Sequence, residues 1–362
     1  MNKIIILVLS VLIAGSGAFA LPPALTLDIA AHVAKPPVLD GKLDDPCWQT
    51  LPKNSTFYKF MAQIPTPTPL ETERQLGFDS RGLYLGLRLA EKNIGKIKAF
   101  ITQRDDPELW RDDCVEIYFD HEGASISYRK FIVNSLGTRT DLYQMDPANI
   151  DTTWSPDGWQ VRTSRDDQAW YIEAFFPWDN LGAAAKDGAL WRFALCRFSW
   201  SSGNLATSAV GAMYSMPNRF GWLVFLDAVP DNPDRLADTL AAGIPGDWIW
   251  FARGQSIIKT GNHAQAMPAS ALLIEQRDRL RAVAAECAAL EKIMPPRGSN
   301  TCAALSARLD AVPVRVADGV AFQQSVQALQ ELDRAFEDIK YTGLLVELAQ
   351  TAERLSRARS EK

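Results

Sequence analysis

Histidine is nearly missing: His32, His121 and His263 are the only three in 362 residues. Imidazole changes charge near neutral pH and is the commonest metal ligand, so its scarcity argues against a His-dependent enzyme or a His-rich metal centre. Cysteine is sparse as well. The five cysteines, Cys47, Cys114, Cys196, Cys287 and Cys302, are odd in number and show no C-x-x-C spacing. That pattern speaks against a zinc site. A basic excess is also lacking, since 38 Lys and Arg stand against 43 Asp and Glu, a formal net charge of −5. Nucleic acid and anionic membrane surfaces need a basic footprint and are set aside as partners.

The one sustained apolar run lies at the start. Lys3 gives a short positive region, Ile4 to Ala14 are apolar, and Ala18-Phe19-Ala20 offers small residues where a signal peptidase reads. Residues 1–20 therefore read as a secretory signal cleaved after Ala20. The run is short for a span of ~20 residues, an uncleaved anchor being the alternative, and no cysteine follows it for lipidation. The expectation is an exported protein, periplasmic, envelope-bound or extracellular, with no transmembrane segment after cleavage. Export permits disulfides. Cys287 and Cys302 are placed to pair across a helix hairpin, while Cys114 and Cys196 lie in strand-like runs and read as buried thiols.

Composition changes near residue 230. Before it, aromatic and β-branched runs alternate with turn signals; after it, Ala, Leu, Glu, Gln and Arg dominate. Residues 21–228 read as a β-rich domain, 229–267 as a linker with a short helix near Asp234–Ala241, and 268–362 as a helical hairpin or bundle. Leu83, Leu85, Leu87 and Leu89 alternate with Tyr84, Gly86 and Arg88, after the Asp79-Ser80-Arg81-Gly82 turn. Thr72–Phe78 and Leu83–Ala90 thus form a hairpin. Val115, Ile117 and Phe119 alternate with Cys114, Glu116 and Tyr118, and similar patterns recur at 131–134, 170–175, 191–198 and 220–226. Many short strands with regular turns predict a mainly β fold, an antiparallel β-sandwich, followed by a small α-helical domain. In the tail, helices are expected over Leu272–Met294, Thr301–Ala311, Val320–Lys340 and Leu344–Arg359, their apolar stripes packing on one another or on a protein partner.

Several runs carry a resemblance. They are Pro37-Val38-Leu39-Asp40-Gly41-Lys42-Leu43-Asp44-Asp45 with Trp48, Leu83-Tyr84-Leu85-Gly86, and Trp110-Arg111-Asp112-Asp113-Cys114-Val115-Glu116-Ile117-Tyr118-Phe119-Asp120. Phe131-Ile132-Val133-Asn134 with Gly137, Tyr171-Ile172-Glu173-Ala174 before Pro177-Trp178, and Asn218-Arg219-Phe220-Gly221 follow. Over residues 33–228 this ordered set resembles carbohydrate-binding module family 9; the helical tail lies outside it. The resemblance implies a β-sandwich that binds the ends of sugar chains, often attached to glycoside hydrolases. It implies two aromatic rings gripping one sugar, polar side chains on nearby strands, and structural calcium. Trp110 matches the first stacking aromatic, Glu116 the hydroxyl-binding carboxylate and Asn134 a polar ligand, while Tyr214 falls near the second aromatic. Where sugar-end binders carry Arg two residues before the Asn, this chain has Ile132, so Arg129 or Arg139 is the candidate substitute.

The residues themselves point the same way. A pyranose shows C–H bonds on its faces and hydroxyls at its rim, suiting a flat aromatic and a carboxylate or amide. Hiding ~100 Å² of apolar surface is worth roughly 2.5 kcal/mol, whereas a millimolar Kd needs about 4 kcal/mol. Two rings plus hydrogen bonds are required, and Trp200 is an alternative second platform to Tyr214. Trp48, Trp170, Trp178 and Trp191 read as core or strand-end residues. Asp112 and Asp113 are the candidate cation ligands, although calcium wants six to eight oxygens. The reading is non-catalytic binding of an oligo- or polysaccharide. The alternatives are an envelope or assembly protein with a degenerate sugar site, a glycoside hydrolase accessory module, a hydrolase using Glu116 with Asp113, and a haem carrier using His121 with Met145 or Met213.

Overall fold

A computed structural model describes residues 21–210, 216–295 and 301–360. The expected signal segment, residues 1–20, and Tyr214 lie outside the described residues. Two compact units are formed, one by residues 24–269 with 316–324 and the other by 21–23, 270–315 and 325–360.

The first unit is built on β1 (Leu27–His32), β2 (Tyr58–Lys59), β3 (Thr72–Phe78), β4 (Gly82–Ala90), β5 (Cys114–Asp120), β6 (Tyr128–Asn134) and β7 (Arg139–Asp146). It continues with β8 (Asn149–Asp151), β9 (Gln160–Arg165), β10 (Ala169–Pro177), β11 (Leu190–Ser199), β12 (Asn204–Thr207) and β13 (Gly221–Leu226). These strands make one sheet in the order β8-β7-β6-β5-β11-β13-β1-β3-β4-β10-β9, with β12 and β2 paired beside β11. The sheet is mixed, which corrects the antiparallel expectation. β1 runs parallel to both β13 and β3, and so joins two otherwise antiparallel halves. Alternation along a strand reports which face is buried, not the direction of its neighbour.

The sheet curls so that both halves feed one core. Leu83, Leu85, Leu87 and Leu89 of β4 and Phe176 of β10 share it with Val115, Ile117 and Phe119 of β5 and Phe131 of β6. Each such side chain contributes about 1.5–3 kcal/mol of transfer free energy. The back of the β3-β4-β10 half is closed by the segment before the short helix α1 (Pro46–Thr50). There the buried Glu173 carboxylate accepts from Asp40 N (2.9 Å), Gly41 N (2.8 Å) and Trp48 Nε1 (2.8 Å). Gly41 has φ +88°, and a Cβ there would lie 2.8 Å from the Thr163 carbonyl carbon. Gly86 interrupts a strand because a Cβ would lie 2.9 Å from the Trp48 ring. The Asp40-Gly41…Trp48 and Leu85-Gly86 runs are therefore two halves of one buried junction.

The segment read as a linker is structured. After α2 (Trp178–Leu181) comes α3 (Pro233–Gly243), whose N-cap Asn232 accepts from Asp234 N and Arg235 N. A three-stranded sheet follows, β14 (Trp248–Ala252), β15 (Gln255–Thr260) and β16 (His263–Pro268). Arg253 (φ +50°) and Gly254 (φ +78°) make the two-residue turn between β14 and β15, as twist-matched hairpins require. Leu236, Leu240, Trp248 and Ile257 bury Leu27, Ile29, Val224 and Leu226 of β1 and β13. The surrounding Pro, Gly and Asp residues masked this short apolar alternation.

The second unit contains α4 (Ala269–Glu291), α5 (Cys302–Asp310) and most of α6 (Gly319–Ser360). Leu273, Leu280 and Cys287 of α4 and Leu329, Phe336 and Ile339 of α6 are buried. The expected break between two last helices does not occur. Gly343 stays helical, and a Cβ there would lie 2.6 Å from Leu290 Cβ, so the glycine serves close helix packing rather than termination. The Cys287–Cys302 bridge does not form. Cys287 is a thiol donating to the Phe336 carbonyl at 3.3 Å.

Candidate functional site

The expected site residues divide between the two faces of the β5-β6 pair. In register, Glu116 faces Ile132, Tyr118 faces Lys130 and Cys114 faces Asn134. These residues share the face covered by Leu109, Phe198 and Phe220. Arg129 belongs to the other face with Phe131. Its guanidinium lies 4.7 Å from the Tyr143 ring centroid and 6.0 Å from that of Trp154, with Nη1 3.1 Å from His121 Nδ1. Arg129 is thus separated by the sheet from Glu116, which corrects its assignment to the sugar site; an odd-numbered offset on a strand always changes face. Arg139 is likewise engaged elsewhere, donating to the Trp159 carbonyl over that ring.

Glu116 is enclosed rather than solvated. One oxygen accepts from the Tyr118 hydroxyl, and the other pairs with Lys130 Nζ at 2.7 Å. Lys130 was not singled out by sequence reasoning, although its position two residues before Ile132 places it on the same face. It brings a cation to the carboxylate where Ile132 brings none. Burial, followed by the charge of Glu116, pushes the Tyr118 phenol up, and for the same two reasons the Cys114 thiol rises and Cys196 reaches about 12. These groups stay protonated at neutral pH and offer no thiolate nucleophile.

Asn134 is spent inside the protein. Its Nδ2 donates to Ile101 O and to Asp112 Oδ2, both at 2.9 Å, and its Oδ1 accepts from Leu136 N and Thr138 N. Asp112, almost fully buried, also accepts from Phe100 N and Ile101 N. Asp113 accepts from Lys98 N and Ser201 N, both at 3.1 Å. N–H donors are aimed at these oxygens, and the two carboxylates alone fall short of the six to eight oxygens calcium takes. Among the described residues no group of three or more His, Cys, Asp or Glu side chains is placed to hold a metal. Asp113 and Glu116 present no open carboxylate pair of the kind glycoside hydrolysis uses.

These buried anchors hold two indoles at the surface. Asp112 and Asn134 fix the loop ending in the 3-10 turn Leu109–Arg111, and Asp113 holds the backbone next to Trp200. Trp200 Nε1 donates to the Trp110 carbonyl at 2.9 Å, and the rings meet edge to face at 6.3 Å and 63°. Trp110 is 39% exposed. Arg111 lies 5.2 Å over the Trp110 ring centroid, its own side chain 65% exposed and paired with Glu108. Trp200 in turn stacks on Phe198 at 6.0 Å and 26°. The arrangement offers apolar ring surface bordered by a forked donor.

The first unit is thus mainly β and carries an exposed Trp110 against a half-buried Trp200, on a buried polar base. The family model described as carbohydrate family 9 binding domain-like matches residues 39–223, just over half of the chain. The chain belongs to that family. Among solved structures it is similar to a carbohydrate-binding module family 9 from Caldicellulosiruptor kristjanssonii in complex with cellotriose, at 17% identity and a TM-score of 0.40, covering 57% of this chain and 100% of that one. The complex of such a module from the same organism with glucose gives 17% identity and a TM-score of 0.41, covering 57% and 98%. A protein from Bacteroides uniformis described as carbohydrate-binding gives 15% identity and a TM-score of 0.45, covering 55% and 99%. No curated protein matches the chain.

Proposed function

We propose that this protein is an exported, non-catalytic carbohydrate-binding protein that takes a sugar on the Trp110–Trp200 platform. Family membership supports the ligand class, and the exposed Trp110 ring set against the half-buried Trp200 is the observation that carries the location. A pyranose face lies on the indole while Arg111 turns its fork toward the hydroxyls, supplying the guanidinium that Ile132 does not. Glu116, Lys130, Asp112, Asp113 and Asn134 act beneath this surface, fixing strands and loops. Glucose and cellotriose, held by the two modules compared above, are the first ligands for calorimetry, followed by a broad glycan array. Saturable binding with a change in tryptophan fluorescence is expected. Silence across the array sinks the reading.

A second role rests on α6. Tyr341, Leu345, Leu348 and Leu355 are exposed at steps of four, three and seven residues, the spacing of a seam for a partner helix. Light scattering of the full chain against a variant with Leu345, Leu348 and Leu355 changed to Gln decides whether that seam assembles anything.

A further inference from the structure

A cavity of about 440 Å³ lies in the first unit, away from the indole pair. Much of its wall lies outside residues 39–223: Leu25, Leu27, Val229 and Trp250 line it, as do Asp318, just before α6, and Gly319. Its size suits a small molecule. One wall holds a buried cation. Arg74 Nε donates to Asp28 Oδ1 at 2.6 Å, Nη1 donates to Thr56 O at 2.8 Å, and the guanidinium covers the Phe57 ring at 4.8 Å. Arg74 Nη2 is buried without a hydrogen-bond partner. The neighbouring Tyr58 hydroxyl, beside Thr26, is buried and makes no hydrogen bond of ordinary geometry either. Both residues line the cavity. A buried donor left unmade costs free energy, and two on one wall mark a place for an acceptor.

The wall also restricts what that acceptor belongs to. Asp28, Asp231 and Asp318 are matched by Lys53, Arg74 and Arg253, so the lining has no net formal charge and a charged ligand gains nothing overall. Leu27, Ile29, Leu76, Trp250, Phe251 and Ile257 give an apolar surface. A sugar has hydroxyls all round its rim, and the Asp28 Oδ1 and Asn54 Oδ1 acceptors on this wall are already bonded within the protein. We infer that this cavity is a second binding site, for an uncharged, largely apolar molecule that presents one carbonyl or hydroxyl oxygen to Arg74 and Tyr58.

The probe is the neutral fluorophore 6-propionyl-2-(dimethylamino)naphthalene, titrated against the full-length protein, with 2-(dimethylamino)naphthalene as the analogue lacking the carbonyl. Saturable, blue-shifted emission at one site per chain is expected, with the ketone bound about tenfold more tightly than its analogue. Tyr58→Phe, which removes only the hydroxyl, narrows that ratio. Ala252→Trp, which fills the lining, abolishes binding, and Trp110→Ala leaves it unchanged. Circular dichroism confirms that each variant is folded. Non-saturable emission, equal affinity for the two dyes, or full binding by Ala252→Trp overturns the inference. Displacement of the dye by glucose overturns it too, since it would make this cavity a sugar site.

Discussion

Replacing Trp110 with Ala tests whether the indole pair contributes to sugar binding as proposed. Trp110 is 39% exposed, and a tryptophan side chain carries up to roughly 250 Å², which leaves roughly 100 Å² open. A sugar covers one face of that ring, about half of it, and hides a similar area of its own. The total is therefore about 100 Å² removed from water, worth at most about 2.5 kcal/mol at the usual coefficient. Imperfect coverage lowers the expectation to about 1–2.5 kcal/mol, a roughly five- to sixtyfold rise in Kd. Trp110 belongs to an exposed turn, so its loss leaves the core intact and unfolding curves should coincide. Calorimetry with the tightest glycan from the array reads the change in Kd. Trp200→Ala should act in the same direction, and the double variant should cost less than the sum, because the rings touch. A Trp110→Ala protein that is folded and binds within twofold of the original refutes the platform.

Other outcomes follow from the buried polar groups. Glu173→Ala strands three donors, Asp40 N, Gly41 N and Trp48 Nε1, and should cost at least about 3 kcal/mol in urea unfolding. Lys130→Met leaves the Glu116 carboxylate buried without its cation and should cost about 3–5 kcal/mol, most of it recovered in the Glu116→Gln, Lys130→Met double variant. Burial raises Asp141 to about 6, against the opposing pull of Trp159 Nε1 and Arg104. Its folded value lies above an unfolded value of about 3.9. The stability it contributes is therefore complete below about pH 4 and lost as pH rises through 6. Asp141→Asn should flatten the Tm profile between those limits, and an unchanged slope counts against the assignment. Mass spectrometry of the protein recovered from its host should find Leu21 at the N-terminus, and retention of Met1 contradicts export by a cleaved signal.

Alternation in β4, β5 and β10 was legible because one face of each strand enters a single core, and a two-residue repeat records that directly. The leucines at 83, 85, 87 and 89 did so without help from any partner strand. The family runs were legible for a different reason: Gly41, Trp48, Gly86 and Glu173 form one junction whose geometry permits few substitutes. Trp110 was singled out through the family runs, and the structure places it in the 3-10 turn before β5. What Asp112, Asp113 and Asn134 do was not legible. Their side chains look identical whether they meet a ligand or a backbone N–H, and only folding brings Phe100, Ile101 and Ser201 to them.

By itself, then, the chain determined the β-rich first region, the helical tail and the family, all properties carried by local periodicity or by residues with few substitutes. Tertiary structure alone decided the parallel pairing of β1, the face on which Arg129 lies, the partnership of Trp110 with Trp200 and the unfilled donors of Arg74 and Tyr58. Each of these joins residues far apart in sequence. Distance, direction and exclusion from water arise only when the chain closes on itself, so no local pattern records them.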